Sequence, residues 1–133
     1  MKHHKNTRSA SLKTILVIED EQPLINAIKE KLGQNNFRVI SVKTVEEGLK
    51  LVRDLPKIDL VWLDHYLLGH KTGIDFVGQV KTNPLTKNIP VFIVSVSTDP
   101  TTSYQYLHLG AEEYYTKSAF KLQDIIDDIK KHI

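Results

Sequence analysis

ILVIEDE, residues 15–21, decides how the rest of the chain is read. Four consecutive aliphatic residues, Ile15–Ile18, run straight into Glu19, Asp20 and Glu21. A short unbroken apolar run suits a strand covered on both faces, as parallel sheets require, and not a half-exposed strand, which would alternate. Leu24, Ile28 and Leu32 follow at four-residue spacing, a helical stripe with Gly33 as its expected stop. A strand followed by a helix is the repeating unit of an α/β domain.

The unit recurs along the chain. Further apolar runs lie at Ile58–Leu63 and Val91–Val94, while Phe37–Val42 and Tyr114–Tyr115 are more polar, as edge strands are. Val45, Leu49 and Val52 form a second helical stripe, with Thr44 as N-cap and Glu47 three residues on. Leu122, Ile125, Ile126, Ile129 and Ile133 form the last stripe, and helices are expected at about 73–82 and 100–109. Asn83-Pro84 and Asn88–Pro90 mark the loop between the third helix and the fourth strand. Five βα units with right-handed crossovers, and the most apolar strands in the middle, predict a flavodoxin-like doubly wound fold. Its five parallel strands take the order 2-1-3-4-5.

Composition limits what such a domain can do. The chain has 133 residues, one domain's worth, and no cysteine, which excludes a disulfide framework, a thiolate zinc site and a thiol nucleophile. No apolar run approaches the ~18 residues a membrane helix needs, and no apolar segment of a signal peptide follows the basic start, so a cytoplasmic protein is expected. The net charge of +2 is uneven: residues 1–13 carry four basic residues and no acidic one. Without those four, 14 basic residues face 16 acidic ones over residues 14–133. The chain therefore divides into a basic tail, 1–13, expected to be disordered, and a mildly acidic domain, 14–133. Nucleic acid is not the expected partner of that domain.

Ligand sites of doubly wound sheets form at the carboxyl ends of the strands. Glu19, Asp20 and Glu21 follow the first strand, Asp64 the third, Ser95 ends the fourth, and Lys117 follows the fifth. Taken singly, each is an ordinary cap, turn or surface residue. Gathered on one edge, with strands ~4.8 Å apart, the acids crowd one another and supply hard oxygen donors of the kind Mg²⁺ takes. A carboxylate beside such a cation, an ammonium and a hydroxyl is equipped to receive a phosphoryl group, with Asp64 as nucleophile. Asp59 and Glu46 read as surface charges, Trp62 and Phe92 as core, and His70 and His108 as surface residues. His65, next to Asp64, points toward the opposite face and reads as structural or solvated.

These segments resemble the response regulator receiver domains over residues 13–133. ILVIEDE (15–21) is similar to the family's first strand and acidic pair, and DLVWLD (59–64) to the strand ending in the phosphoacceptor. IPVFIVS (89–95) is similar to the strand ending in Thr or Ser, and GAEEYYTK (110–117) to the segment ending in the active-site lysine. The resemblance implies that Asp64 is phosphorylated and that Glu19, Asp20, Asp64 and the backbone carbonyl of Tyr66 hold Mg²⁺. It implies that Ser95, the backbone of Val96 and Lys117 bind the phosphoryl group, and that Tyr114 is the switch aromatic coupled to Ser95. The implied donor is a sensor histidine kinase or histidine phosphotransfer protein. A downstream protein would read the face made by the fourth helix, fifth strand and fifth helix. A monomer or a weak homodimer through that face, with Tyr104, Tyr106 and the last helix as contacts, is expected.

Three departures accompany the resemblance. Leu68 stands where the family usually has Pro, and Gly73 comes one place late, so the Leu67–Gly73 loop is one residue longer. Val96 replaces a small residue after Ser95, and Ser118 replaces the Pro after Lys117. The expectation is slower phosphotransfer or dephosphorylation, not its loss. A haloacid-dehalogenase-type phosphatase would need a second Asp where Tyr66 stands. Nucleotide and flavin binding lack a glycine-rich phosphate loop and would meet Glu19–Glu21 instead. The remaining alternative is a receiver-like interaction module that acts independently of phosphorylation.

Overall fold

The computed structural model describes residues 12–55, 57–67 and 69–133. The basic tail expected at 1–13 therefore lies outside the described residues, except for Leu12 and Lys13. The elements alternate: β1 (Thr14–Ile18), α1 (Gln22–Gln34), β2 (Arg38–Val42), α2 (Val45–Asp54), β3 (Leu60–Leu63), α3 (Gly73–Thr82), β4 (Val91–Ser95), α4 (Pro100–Leu109), β5 (Glu113–Thr116) and α5 (Leu122–His132). All strand pairs are parallel and the order is β2-β1-β3-β4-β5, the flavodoxin-like doubly wound sheet. Among the described residues no helix is long and apolar enough to cross a membrane.

The unbroken apolar runs are explained by burial on both faces. Every residue of β1, β3 and β4 is buried. On one face Ile15, Val17, Trp62, Phe92 and Val94 pack under α1 and α5. On the other, Leu16, Ile18, Leu63 and Ile93 meet Val45, Phe76 and Tyr106 from α2, α3 and α4. The flanking strands β2 and β5 are half-exposed, which is why their sequences are mixed.

Side chains set the helix starts. Thr44 accepts from the backbone N–H of Glu47 at 3.2 Å, as its spacing predicts. Thr72 and Asp75 form a reciprocal capping box at the start of α3, and Asp99 caps α4 through the N–H of Thr101 at 2.9 Å. Asp59 is more than a surface charge, because its carboxylate accepts from the N–H of Thr14 at 2.8 Å. The end of α1 differs from expectation. The helix runs through Gly33 to Gln34, and Asn36 turns the chain with φ 68°. Its N–H donates to Gly33 O, and that of Phe37 donates to Leu32 O, the paired bonds of a Schellman ending with Asn in the left-handed place.

Candidate functional site

Sheet hydrogen bonding continues one residue past the strands and delivers the polar side chains to a single edge. The N–H of Asp64 donates to Ile18 O at 3.0 Å, that of Glu19 to Val42 O at 3.1 Å, and that of Lys117 to Ser95 O at 2.7 Å. Glu19, Asp64 and Lys117 therefore take their places from the parallel register, and not from flexible loops. Carboxylate oxygens of Glu19, Asp20 and Asp64, one from each, lie within 4.8 Å of one another. Lys117 Nζ stands 3.2 Å from Glu19 Oε1 and 3.4 Å from Asp64 Oδ2.

The cluster is held at an electrostatic cost. Glu19 is fully buried, and its carboxylate accepts from the N–H groups of Asp20 and Glu21. Burial, then repulsion from Asp64, raises its pKa against the opposing pull of Lys117. Burial likewise raises that of Asp64, although Lys117 and the N–H groups of His65 and Tyr66 favour the carboxylate. Burial opposes the charged form of Lys117, but Asp64 and Glu19 together outweigh it and raise its pKa. Three acids and one ammonium leave negative charge in excess in a confined space. Such a site gains by taking up a further cation, and all of its acidic donors are hard oxygens suited to Mg²⁺.

The other expected residues lie on the loop after β3, at the end of β4 and on β5. Ser95 is fully buried, and its Oγ accepts from the N–H of Ser97 at 3.1 Å. Val96, next to it, is exposed, and Tyr66 is also exposed on the loop after Asp64. Tyr114 is half-buried on β5, and its hydroxyl donates to Ser97 O at 2.8 Å, two residues from Ser95. The departure at Gly73 has a structural counterpart. A Cβ there would collide with the Tyr106 hydroxyl and lie 3.2 Å from the Asp64 carbonyl oxygen. His70 and His108 are exposed, and Trp62 and Phe92 are buried, all as expected.

Tyr106 requires a correction. Expected as a surface contact for a second copy, it is fully buried, and burial pushes its phenol far above the ordinary tyrosine range. Its hydroxyl and Nδ1 of His65 share a hydrogen bond of 2.6 Å, so the ring turns inward to meet a polar partner. His65 is thus structural and half-buried; burial lowers its pKa and the Asp64 charge partly offsets that. Tyr104, by contrast, is exposed. The spacing Thr102, Tyr106, Leu109 is a helical face, and it was the available signal for the inward ring. No local pattern announces its pairing with His65, 41 residues away.

Comparisons with known proteins point to one family and its fold. The family model for the response regulator receiver domain matches residues 15–130. The phosphate regulon transcriptional regulatory protein PhoB of Escherichia coli (strain K12) is 30% identical over 116 residues, 87% of this chain and 49% of PhoB. Response regulator RR06 of Streptococcus pneumoniae serotype 2 is 32% identical over 116 residues, 87% of this chain and 51% of its own length. The chain thus spans about half the length of the curated relatives it matches. Among solved structures, the phosphorylated cyanobacterial phytochrome response regulator RcpA superposes with a TM-score of 0.78 at 27% identity, covering 91% of each chain.

Proposed function

The chain belongs to the response regulator receiver domain family, and from that premise we propose that it takes a phosphoryl group onto Asp64 in a Mg²⁺-dependent reaction. The observation that carries the reading is the crowding of Glu19, Asp20 and Asp64 around one point with Lys117 as the one ammonium in contact among the described residues. Glu19, Asp20, Asp64 and the backbone carbonyl of Tyr66 are the proposed metal ligands. A bound divalent cation supplies positive charge that keeps the acids ionised and neutralises the phosphoryl oxygens.

The protein's own residues do the rest. An ionised Asp64 oxygen attacks phosphorus of a phosphohistidine, forming an acyl phosphate as the P–N bond breaks and its electron pair returns to the imidazole. No general base is needed, because a carboxylate carries no proton to remove. Lys117, already within 3.4 Å of Asp64, pairs with the incoming phosphoryl oxygens. Ser95 Oγ and the N–H of Val96 donate to them. The donor is a sensor histidine kinase or phosphotransfer protein, and Tyr114 couples Ser95 to the α4–β5–α5 face that a downstream protein reads. A monomer or a weak homodimer through that face accords with the exposure of Tyr104, Leu107 and Phe120. The related RcpA is known in a phosphorylated form.

Intact-mass measurement after mixing the chain with acetyl phosphate and Mg²⁺ tests this. One phosphoryl adduct is expected, absent without Mg²⁺ and absent in Asp64→Ala. An adduct that survives in Asp64→Ala removes Asp64 from the role. No adduct in the natural chain favours the interaction module that works without phosphorylation.

A further inference from the structure

The bond between His65 and Tyr106 has no part in the chemistry above, yet it joins the phosphorylation loop to α4. His65 touches Asp64 through its backbone, whose N–H donates to Asp64 Oδ1 at 2.7 Å. Its ring reaches the other way, to the Tyr106 hydroxyl at 2.6 Å, with the two rings edge to face at 5.4 Å. Tyr106 is fully buried, so its hydroxyl cannot turn to water if His65 leaves. A buried hydroxyl without a partner is unfavourable, which ties the position of the loop to the position of α4.

Two further contacts tighten that tie. Gly73, the first residue of α3, leaves the space that the hydroxyl fills, so the tyrosine is also fitted against the backbone that follows the loop. On its other side the Tyr106 ring lies 6.0 Å from that of Tyr114 on β5. Asp64, His65, Tyr106 and Tyr114 thus form a continuous series of contacts from the nucleophile to β5. The series passes through α4 and does not involve Ser95. A group added to the Asp64 carboxylate changes what the His65 N–H faces, and any shift of His65 is handed to a side chain that has no other polar partner among the described residues.

We infer that Tyr106 is a positioning residue: through His65 it holds the Asp64 loop in its reactive geometry, and through the same bond it makes α4 respond to phosphorylation of Asp64. The inference rests on the phosphoacceptor reading of Asp64. It is a second route of coupling beside the one proposed for Ser95 and Tyr114.

Tyr106→Phe removes the hydroxyl and keeps the ring. The test follows phosphorylation of the full chain by acetyl phosphate and Mg²⁺, by intact mass, together with hydrogen exchange of the α4 amides before and after adduct formation. His65→Phe and the double variant complete a cycle. Tyr106→Phe is expected to gain one phosphoryl group about fivefold more slowly, the rate equivalent of one neutral hydrogen bond. It is also expected to lose at least half of the phosphorylation-dependent change in α4 exchange. His65→Phe should match it, and the double variant should be no worse than either. A purely structural role predicts lower thermal stability with the α4 response intact, and that result overturns the inference. Additive effects in the double variant overturn it as well. If Tyr106→Phe does not fold, His65→Phe, at a half-exposed position, gives the same reading alone. A natural chain that takes no phosphoryl group overturns the Asp64 reading and this inference with it, whereas an adduct with unaltered variants overturns this inference only.

Discussion

The two faces of the sheet each bury a tyrosine whose hydroxyl is hydrogen-bonded, Tyr115 to Asp128 on one and Tyr106 to His65 on the other, but the second pair adjoins Asp64. Beneath α1 and α5, Ile28, Leu32, Ile125, Ile126 and Ile129 close on Ile15, Val17, Trp62 and Phe92. Among the described residues the single buried side-chain nitrogen or oxygen without a partner is there, the indole N–H of Trp62. Trp62 lines a mainly apolar cavity of about 230 Å³ whose walls also include Lys117. The opposite face, under α2, α3 and α4, is equally aliphatic around Phe76 and Val77, and there Tyr106 carries its hydroxyl to His65. Aliphatic contacts fix how much is buried; a hydrogen bond inside a core also fixes where its partners stand. One face therefore supplies stability without reference to Asp64, and the other ties stability to the geometry of the site.

The largest effect separating the faces is expected from Ile126→Ala. This side chain is fully buried in the α1–α5 layer, and its truncation should cost about 3 kcal/mol in urea unfolding. The phosphorylation rate of the folded protein should not change. Gly73→Ala should cost less, about 2 kcal/mol, because a Cβ must displace the Tyr106 hydroxyl, but it should slow phosphorylation. A slower reaction in Ile126→Ala and an unaltered one in Gly73→Ala would break the distinction between the faces. Gly78→Ala sharpens it within the same helix. A Cβ at Gly78 meets nothing within 4 Å, so the substitution should stabilise by roughly 0.5–1 kcal/mol and leave the reaction alone.

The smallest expected effect concerns pH. Burial raises the pKa of both Glu19 and Asp64, with repulsion between them adding to the shift at Glu19. A carboxyl that holds its proton more tightly in the fold than in the unfolded chain stabilises the fold as pH falls. That contribution is lost as pH rises through its raised pKa. Between the ordinary carboxylate range and neutrality, the metal-free protein should gain stability from this cluster on acidification. Asp64→Asn should flatten that dependence and raise the thermal midpoint at pH 7, an effect on the order of 1 kcal/mol or less. Mg²⁺ should raise the midpoint of the natural chain more at pH 7.5 than at pH 5, where protons compete for the same oxygens. A Mg²⁺ effect that does not weaken on acidification would contradict the assignment of Glu19 and Asp64 as ligands.

Much of this was legible in the sequence, for physical reasons that differ by element. Ile15–Ile18 and Val91–Val94 are buried on both faces, so their strands announce themselves as apolar runs, and the polar residues that follow them, Glu19 and Ser95, mark the carboxyl edge. Glu19, Asp64, Ser95 and Lys117 were readable because strand register alone brings them together. The end of α1 departs from expectation because Gly33, the commoner kind of stop, stays within the helix. Asn36 adopted the left-handed turn instead, closing bonds that only the folded backbone displays. Tyr106, expected with Tyr104 as a contact for a second copy, is instead buried while Tyr104 and Leu107 beside it are exposed. What draws it inward is His65, a partner supplied by another βα unit.

The central claim is that Asp64 is the atom source of the new bond, and the most direct measurement locates that bond. The chain is phosphorylated with acetyl phosphate and Mg²⁺, reduced with borohydride, digested and mapped by mass spectrometry. Reduction converts an aspartyl phosphate to homoserine. The account predicts homoserine at position 64 and nowhere else; homoserine at Asp20 or at another acid, with Asp64 unchanged, would contradict it.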